Sequence, residues 1–354
     1  NILTQLPEKF IDEAILAISS WDNYAPTPLI RLNKLNDELK FKNIYYKDED
    51  KRFELKSFKA LGGAFAVYKI ASEKKNITVS TATAGNHGRS VAWGAQRLGL
   101  KCKIFISEFV SESRAEAMRN LDAEVIRVKG NYDNSLKECV KQSNANNWEI
   151  VQDVSWEGYK EVPKLIMAGY TIMVKEILDE INSNSITHVF LQAGVGGMAA
   201  AMIAGFAKLS KNIPKFITVE PENADCVFQS IKNNKPTTVD IKKETIMGGM
   251  SCGDVSSIAW EILKNSTNYC LTVPDEAIST TVALLAEKHL SDEKIIAGEC
   301  AVPGIIALIG SFNNKEYLDK LELNEQSNVL LFGCEGLTDN AMYQRLLSDG
   351  LQKI

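Results

Sequence analysis

The sequence predicts an α/β protein, and three observations point there. Short β-branched runs alternate with longer amphipathic stretches of helical period; the 354 residues suffice for about two domains at roughly 150 residues each; and glycine-rich turns come directly after predicted strands. Such alternation implies parallel sheets covered by helices on both faces, most simply two of them, with ligands beyond the carboxyl ends of the strands.

Strands are expected at residues 77–83, 101–107, 124–129 and 149–154, with helices at GRSVAWGAQRLG, SRAEAMRNL and NSLKECVKQS between them. Later strands are expected at 187–193, 215–220 and 328–333, again separated by helical patterns. No internal repeat or low-complexity linker interrupts the alternation.

Composition narrows the function classes. A formal charge of -5 argues against a nucleic-acid partner, because phosphate backbones select clustered Lys and Arg. The most apolar stretches, 198–207 and 304–310, are far shorter than the ~20 residues a membrane span needs, so no membrane association is expected. The opening NILTQLPEKF shows no basic-then-apolar signal pattern, which makes the cytoplasm the expected compartment. Seven scattered cysteines and three histidines have no zinc-ligand spacing, so no metal is expected.

Three stretches carry possible chemistry. In SFKALGGAFA, residues 57–66, Lys59 precedes a glycine pair and an apolar run; it reads either as a snorkelling surface lysine or as a buried amine able to form a Schiff base. The loop AGNHG, 84–88, comes after a strand and opens a helix, offering backbone N–H groups to an anion or simply a turn capped by Asn86. The turn GVGGM, 194–198, between a strand and a small-residue helix has the shape of a phosphate cradle.

That last turn also nearly fits a dinucleotide fingerprint, with Ala199 third and Glu220 as a ribose-binding acid, so a nicotinamide-dependent oxidoreductase is one rival and a plain anion-binding module another. Neither uses Lys59. Together, an imine-forming amine, a polar Asn loop and a phosphate cradle are the parts needed to hold pyridoxal 5'-phosphate.

In this order these motifs resemble the fold type II pyridoxal phosphate enzymes, and within them the diaminopropionate ammonia-lyases. The resemblance runs through ELKSFKALGGAFA, GNHGRSVAWGAQRLG, VQDVSWEGY, HVFLQAGVGGMAA, VEPENADC, AWEIL, IIAGE and EGLTD, nearly the whole chain. It implies two parallel-sheet α/β domains with the site in the cleft between them: a large one from 1–72 and 176–354, and a smaller mobile one, 73–175, carrying the Asn loop.

It also implies roles. Lys59 would bind the cofactor covalently and act as base, Asn86 would bond the ring hydroxyl, and Gly194, Val195, Gly196, Gly197 and Met198 would hold the phosphate. Thr83, Ala84, Gly85, Asn86 and His87 would bind the substrate carboxylate through backbone N–H groups, and Asp153 would contact the substrate's side-chain amine. The implied reaction is α,β-elimination of 2,3-diaminopropionate to pyruvate and two ammonia, in a homodimer.

The chain departs from that family at two places. Ala84 stands where the lyases usually carry the aspartate that serves as base for the D-isomer, which implies a preference for L-substrate. A small residue there is also typical of hydroxy amino acid dehydratases acting on serine, threonine or 3-hydroxyaspartate, which keeps that reading open. Where the family places Ser or Thr against the pyridine nitrogen, this chain has Gly333 and Cys334, so Cys334 is the candidate partner. Cys226 and Cys252 fall where the lyases also carry cysteines and could bond, although reduced thiols suit the cytosol.

Overall fold

The computed structural model describes residues 2–83, 85–181 and 185–354. The chain forms two compact units, one from residues 1–5, 25–56 and 173–354, the other from 6–24 and 57–172.

Ten strands are present among the described residues: β1 Leu29–Arg31, β2 Asn43–Asp48, β3 Thr78–Ala82, β4 Lys101–Ser107, β5 Glu124–Val128, β6 Glu149–Ile150, β7 His188–Gln192, β8 Lys215–Pro221, β9 Tyr269–Val273 and β10 Asn328–Gly333. The first unit holds a six-stranded sheet in the order β1-β2-β10-β7-β8-β9, parallel except for the antiparallel edge pair β1–β2. The second holds a parallel four-stranded sheet, β5-β4-β3-β6. All seven expected strands are present; β1, β2 and β9 were not expected.

In the first unit β7 and β10 are buried at every residue, as a parallel strand covered on both faces must be. The helix Gly197–Leu209 is buried from Met198 to Phe206, so its apolar composition belongs to the core. No helix among the described residues is long and apolar enough to cross a membrane.

β2 runs into a charged segment that the unit buries. Arg52 Nε and Nη2 donate to the Glu49 carboxylate at 2.8 and 2.9 Å, and Nη1 and Nη2 reach Glu176 at 2.7 Å each. Lys47 Nζ adds a 2.7 Å pair to Glu176 and donates to the Thr27 carbonyl at 2.6 Å. Burial would raise the Glu176 carboxyl, but its bonds and charge contacts with Arg52 and Lys47 outweigh burial and lower it.

Removing Arg52 leaves two buried carboxylates short of a partner. An Arg52→Met variant is expected to lose about 3–5 kcal/mol at neutral pH. That deficit should shrink as pH falls through the carboxylate range, because protonation removes the unpaired charges. Urea unfolding of both proteins at pH 7 and pH 4 measures this; an equal deficit at the two values would contradict it.

In the second unit the helix Lys59–Glu73 packs against the helices Asn86–Arg97 and Glu161–Tyr170. The glycine pair makes that approach possible. A Cβ on Gly62 would lie 2.4 Å from Tyr170 Cε1 and 2.6 Å from the Ile166 carbonyl oxygen, and one on Gly63 would lie 2.4 Å from Ser90 Oγ. Ser90 Oγ in turn accepts the Ala64 N–H at 3.0 Å.

Gly62→Ala is therefore expected to cost about 1–3 kcal/mol through overpacking against backbone, seen as a lower unfolding midpoint. The helix that begins with Lys59, and residues 6–24 with it, belong to the unit that carries the Asn loop.

Candidate active site

The geometry of the second unit begins with strand pairing. β3 and β6 are parallel neighbours, with Val79 opposite Glu149 and Ser80 opposite Ile150, so the segments beyond them leave the same edge side by side. Thr83–His87 comes after β3 and Val151–Asp153 after β6.

Gln152 locks the second segment onto the first. Its Oε1 accepts from Thr81 Oγ1 at 2.9 Å and from the Ala82 N–H at 3.1 Å, while its Nε2 donates to the Ala82 carbonyl at 2.9 Å and to Tyr132 at 2.7 Å. The Tyr159 hydroxyl accepts the Gln152 N–H at 2.9 Å and donates to Ile150 O at 2.8 Å. Sequence reading missed both residues, because neither type nor spacing marks an amide that will be fully satisfied by a neighbouring strand.

Asp153, so placed, meets the predicted lysine. Lys59 Nζ donates to Asp153 Oδ2 at 2.6 Å. The lysine side chain is 27% exposed and the aspartate 15%, so the pair is shielded but reachable. Burial would raise the Asp153 carboxyl, but its interactions with His87 and Lys59 hold it well below the usual carboxylate range. Asp153 is an anion at any physiological pH.

Thr83 Oγ1 accepts the N–H groups of Gly85 and Gly88 at 3.1 and 3.2 Å, pinning the turn that opens the helix Asn86–Arg97. That helix has no side-chain cap at its start, and Asn86 is its first residue. His87 is buried behind the loop. Ala84 lies outside the described residues.

The remaining predicted positions lie on the first unit. Residues 194–198 come after β7, with Gly196 at φ +90, a conformation L side chains rarely adopt, just before the helix Gly197–Leu209. A Cβ on Gly196 would meet Leu263 Cδ1 at 2.7 Å, whereas Gly197 faces open space. The helix start has no side-chain cap, so N–H groups without intrahelical acceptors border that space. A phosphate fits there.

Cys334 comes directly after β10, and its thiol donates to the Cys300 carbonyl at 3.2 Å. Gly333 has no room for the family's hydroxyl side chain, since a Cβ there would lie 2.3 Å from the Tyr46 ring. No disulfide joins Cys226 and Cys252, and Cys226 Sγ donates to Gly194 O at 3.4 Å.

Glu220, the acid of the nicotinamide reading, is committed elsewhere. Its carboxylate accepts the N–H groups of Val227 and Phe228 at 2.7 Å each, at the start of the helix Cys226–Lys232. It is wholly buried and has no face to offer a ribose. Glu299, Cys300 and Glu335 bring donor atoms within 4.8 Å of one another. Burial pushes the Cys300 thiol well up, away from a metal-binding thiolate, and Glu335 already accepts the Cys300 N–H at 3.1 Å.

The second unit offers an amine and an Asn of the kinds pyridoxal phosphate needs for its aldehyde and hydroxyl, and the first offers a glycine turn opening a helix, of the kind its phosphate needs. Comparison with known proteins agrees. The pyridoxal-phosphate dependent enzyme family matches residues 21–335. Diaminopropionate ammonia-lyase of Escherichia coli K12 is 34% identical over 352 residues, covering 92% of this chain and 88% of the relative. The crystal structure of the Escherichia coli lyase in complex with D-serine superposes with a TM-score of 0.91 at 32% identity, covering 98% of this chain and 93% of that one. Its complex with an aminoacrylate-PLP azomethine reaction intermediate gives 0.90 at 33%, with the same coverage.

Proposed function

Because the chain belongs to the diaminopropionate ammonia-lyase family of the pyridoxal-phosphate dependent enzymes, we propose that it eliminates ammonia from 2,3-diaminopropionate, with the L-isomer preferred. The observation that carries this reading is the Lys59–Asp153 pair: a carboxylate held anionic beside the candidate base suits a substrate with a second, cationic amine.

Bound pyridoxal phosphate supplies an electron sink for negative charge developing at the substrate's α-carbon. Residues 194–198 would hold its phosphate through backbone N–H groups, Lys59 its aldehyde carbon and Asn86 its hydroxyl. Cys334 is the candidate partner for the ring nitrogen.

N–H groups of Thr83–His87 orient the α-carboxylate. Lys59 Nζ takes the α-proton. Asp153 holds the β-amino group as an ammonium, so that the carbon–nitrogen bond breaks with neutral ammonia as the leaving group. The 2-aminoacrylate released takes up water and yields pyruvate and the second ammonia. With alanine at position 84, no side-chain base is available at that position for the D-isomer. A homodimer in the cytoplasm completes the proposal.

The test is pyruvate release, in a lactate dehydrogenase-coupled assay, from L- and D-2,3-diaminopropionate and from L-serine. Turnover of the L-diamine with little of the D-isomer is expected. Turnover of L-serine without either diamine would reassign the protein to hydroxyl elimination and leave Asp153 without its role.

A further inference from the structure

Asp153 offers a carboxylate to the departing amine, but an ammonium has three N–H groups and gains most from several acceptors. A second acceptor lies 3.8 Å from it. His87 is 4% exposed, and its Nε2 lies 2.7 Å from the carbonyl oxygen of Val151. A carbonyl only accepts, so Nε2 carries the hydrogen, and on a neutral ring Nδ1 is a bare lone pair. Burial favours that neutral ring, lowering the imidazole against the pull of Asp153.

Nδ1 has no hydrogen-bond partner in the structure although it is fully buried. It lies 3.8 Å from Asp153 Oδ2, too far for a bond between the two. Two acceptors 3.8 Å apart are, however, both within about 2.9 Å of a single donor nitrogen placed between them. The amine already at this carboxylate is the 2.6 Å contact of Lys59 Nζ. Once Lys59 is engaged with the cofactor, a substrate amine can take that place.

We infer that His87 Nδ1 is the second acceptor for the substrate's β-ammonium, which makes the His87 side chain a specificity-determining residue for an amine leaving group. The inference rests on the elimination reading above and extends it. One carboxylate plus one neutral lone pair suits an ammonium, which donates to both. A β-hydroxyl has one hydrogen and satisfies only one of them. A structural histidine, fixed by Val151 and nothing else, would not distinguish leaving groups.

Two variants separate these roles. His87→Gln keeps an N–H donor at the ε position for Val151 and removes the δ acceptor; His87→Asn keeps an acceptor at the δ position and loses the ε donor. Kinetics are read on the holoenzyme with L-2,3-diaminopropionate and with β-chloro-L-alanine, whose leaving group needs no acceptor. His87→Gln should raise KM for the diamine by about 10- to 100-fold, the worth of one hydrogen bond to a charged group. The ratio of the diamine's kcat/KM to that of β-chloroalanine should fall by a similar factor, and His87→Asn should recover part of that ratio.

Equal losses on both substrates, or none on the diamine, would overturn the inference. If the unsubstituted protein eliminates chloride but never ammonia, the function reading fails instead. A second readout is independent of turnover. With three histidines in the chain, nitrogen-15 imidazole spectra of the holoenzyme resolve His87 by comparison with the variants. The expected signal is a neutral ring with hydrogen on Nε2; hydrogen on Nδ1 would refute the assignment.

Discussion

A Lys59→Ala variant should lose elimination of L-2,3-diaminopropionate by at least about 10⁴-fold, the upper range for a positioned general base alone. The amine is expected both to bind the cofactor covalently and to take the α-proton, so no neighbouring group replaces it. The yellow absorbance of the lysine-bound cofactor should disappear with it, although the fold should persist. Lys59 opens its helix and is partly exposed; the packing of that helix rests on Gly62, Gly63 and Ala64 one turn on. Circular dichroism confirms the fold and pyruvate release measures the loss. Retention of both colour and turnover would mean that another lysine does the chemistry.

Asp153→Asn is expected to lower kcat/KM for L-2,3-diaminopropionate by about 10²- to 10³-fold, equivalent to ~3–4 kcal/mol for one partner of a shielded charged pair. The amide is nearly isosteric, and the segment carrying it stays anchored through Gln152 and Tyr159. The loss should therefore be confined to substrates with a β-ammonium, leaving β-chloro-L-alanine elimination nearly intact. An equal fall on both substrates would show that Asp153 acts only by orienting Lys59.

A feature was legible along the chain to the extent that its cause is local. Lys59 stood out because the glycines beside it have a local signature, and the turns at 84–88 and 194–198 because glycine between strand and helix is rare without a purpose. The strands β3 to β8 and β10 fall in short stretches rich in β-branched or other apolar residues and bounded by turns. By contrast β2, NIYYKD, runs straight into the charged EDKR with no turn residue to bound it as a strand. Its burial depends on Glu176, 124 residues beyond Arg52, and no window along the chain contains both. β1 and β9 are edge strands, three and five residues long, with little pattern to detect.

The site divides in the same way. Asp153 was placed by resemblance, not by any pattern of its own, and Gln152 and His87 Nδ1 gained meaning only when β3 and β6 came together. Contacts between near neighbours along the chain were enough for the α/β alternation, the turns suited to an anion, and an amine set against glycines. Which charged groups are buried, and with whom they pair, was settled only by the folded arrangement. The reason is physical: removing an ion from water is unfavourable unless a counter-charge arrives with it, and here the counter-charges come from distant segments through sheet pairing and helix packing.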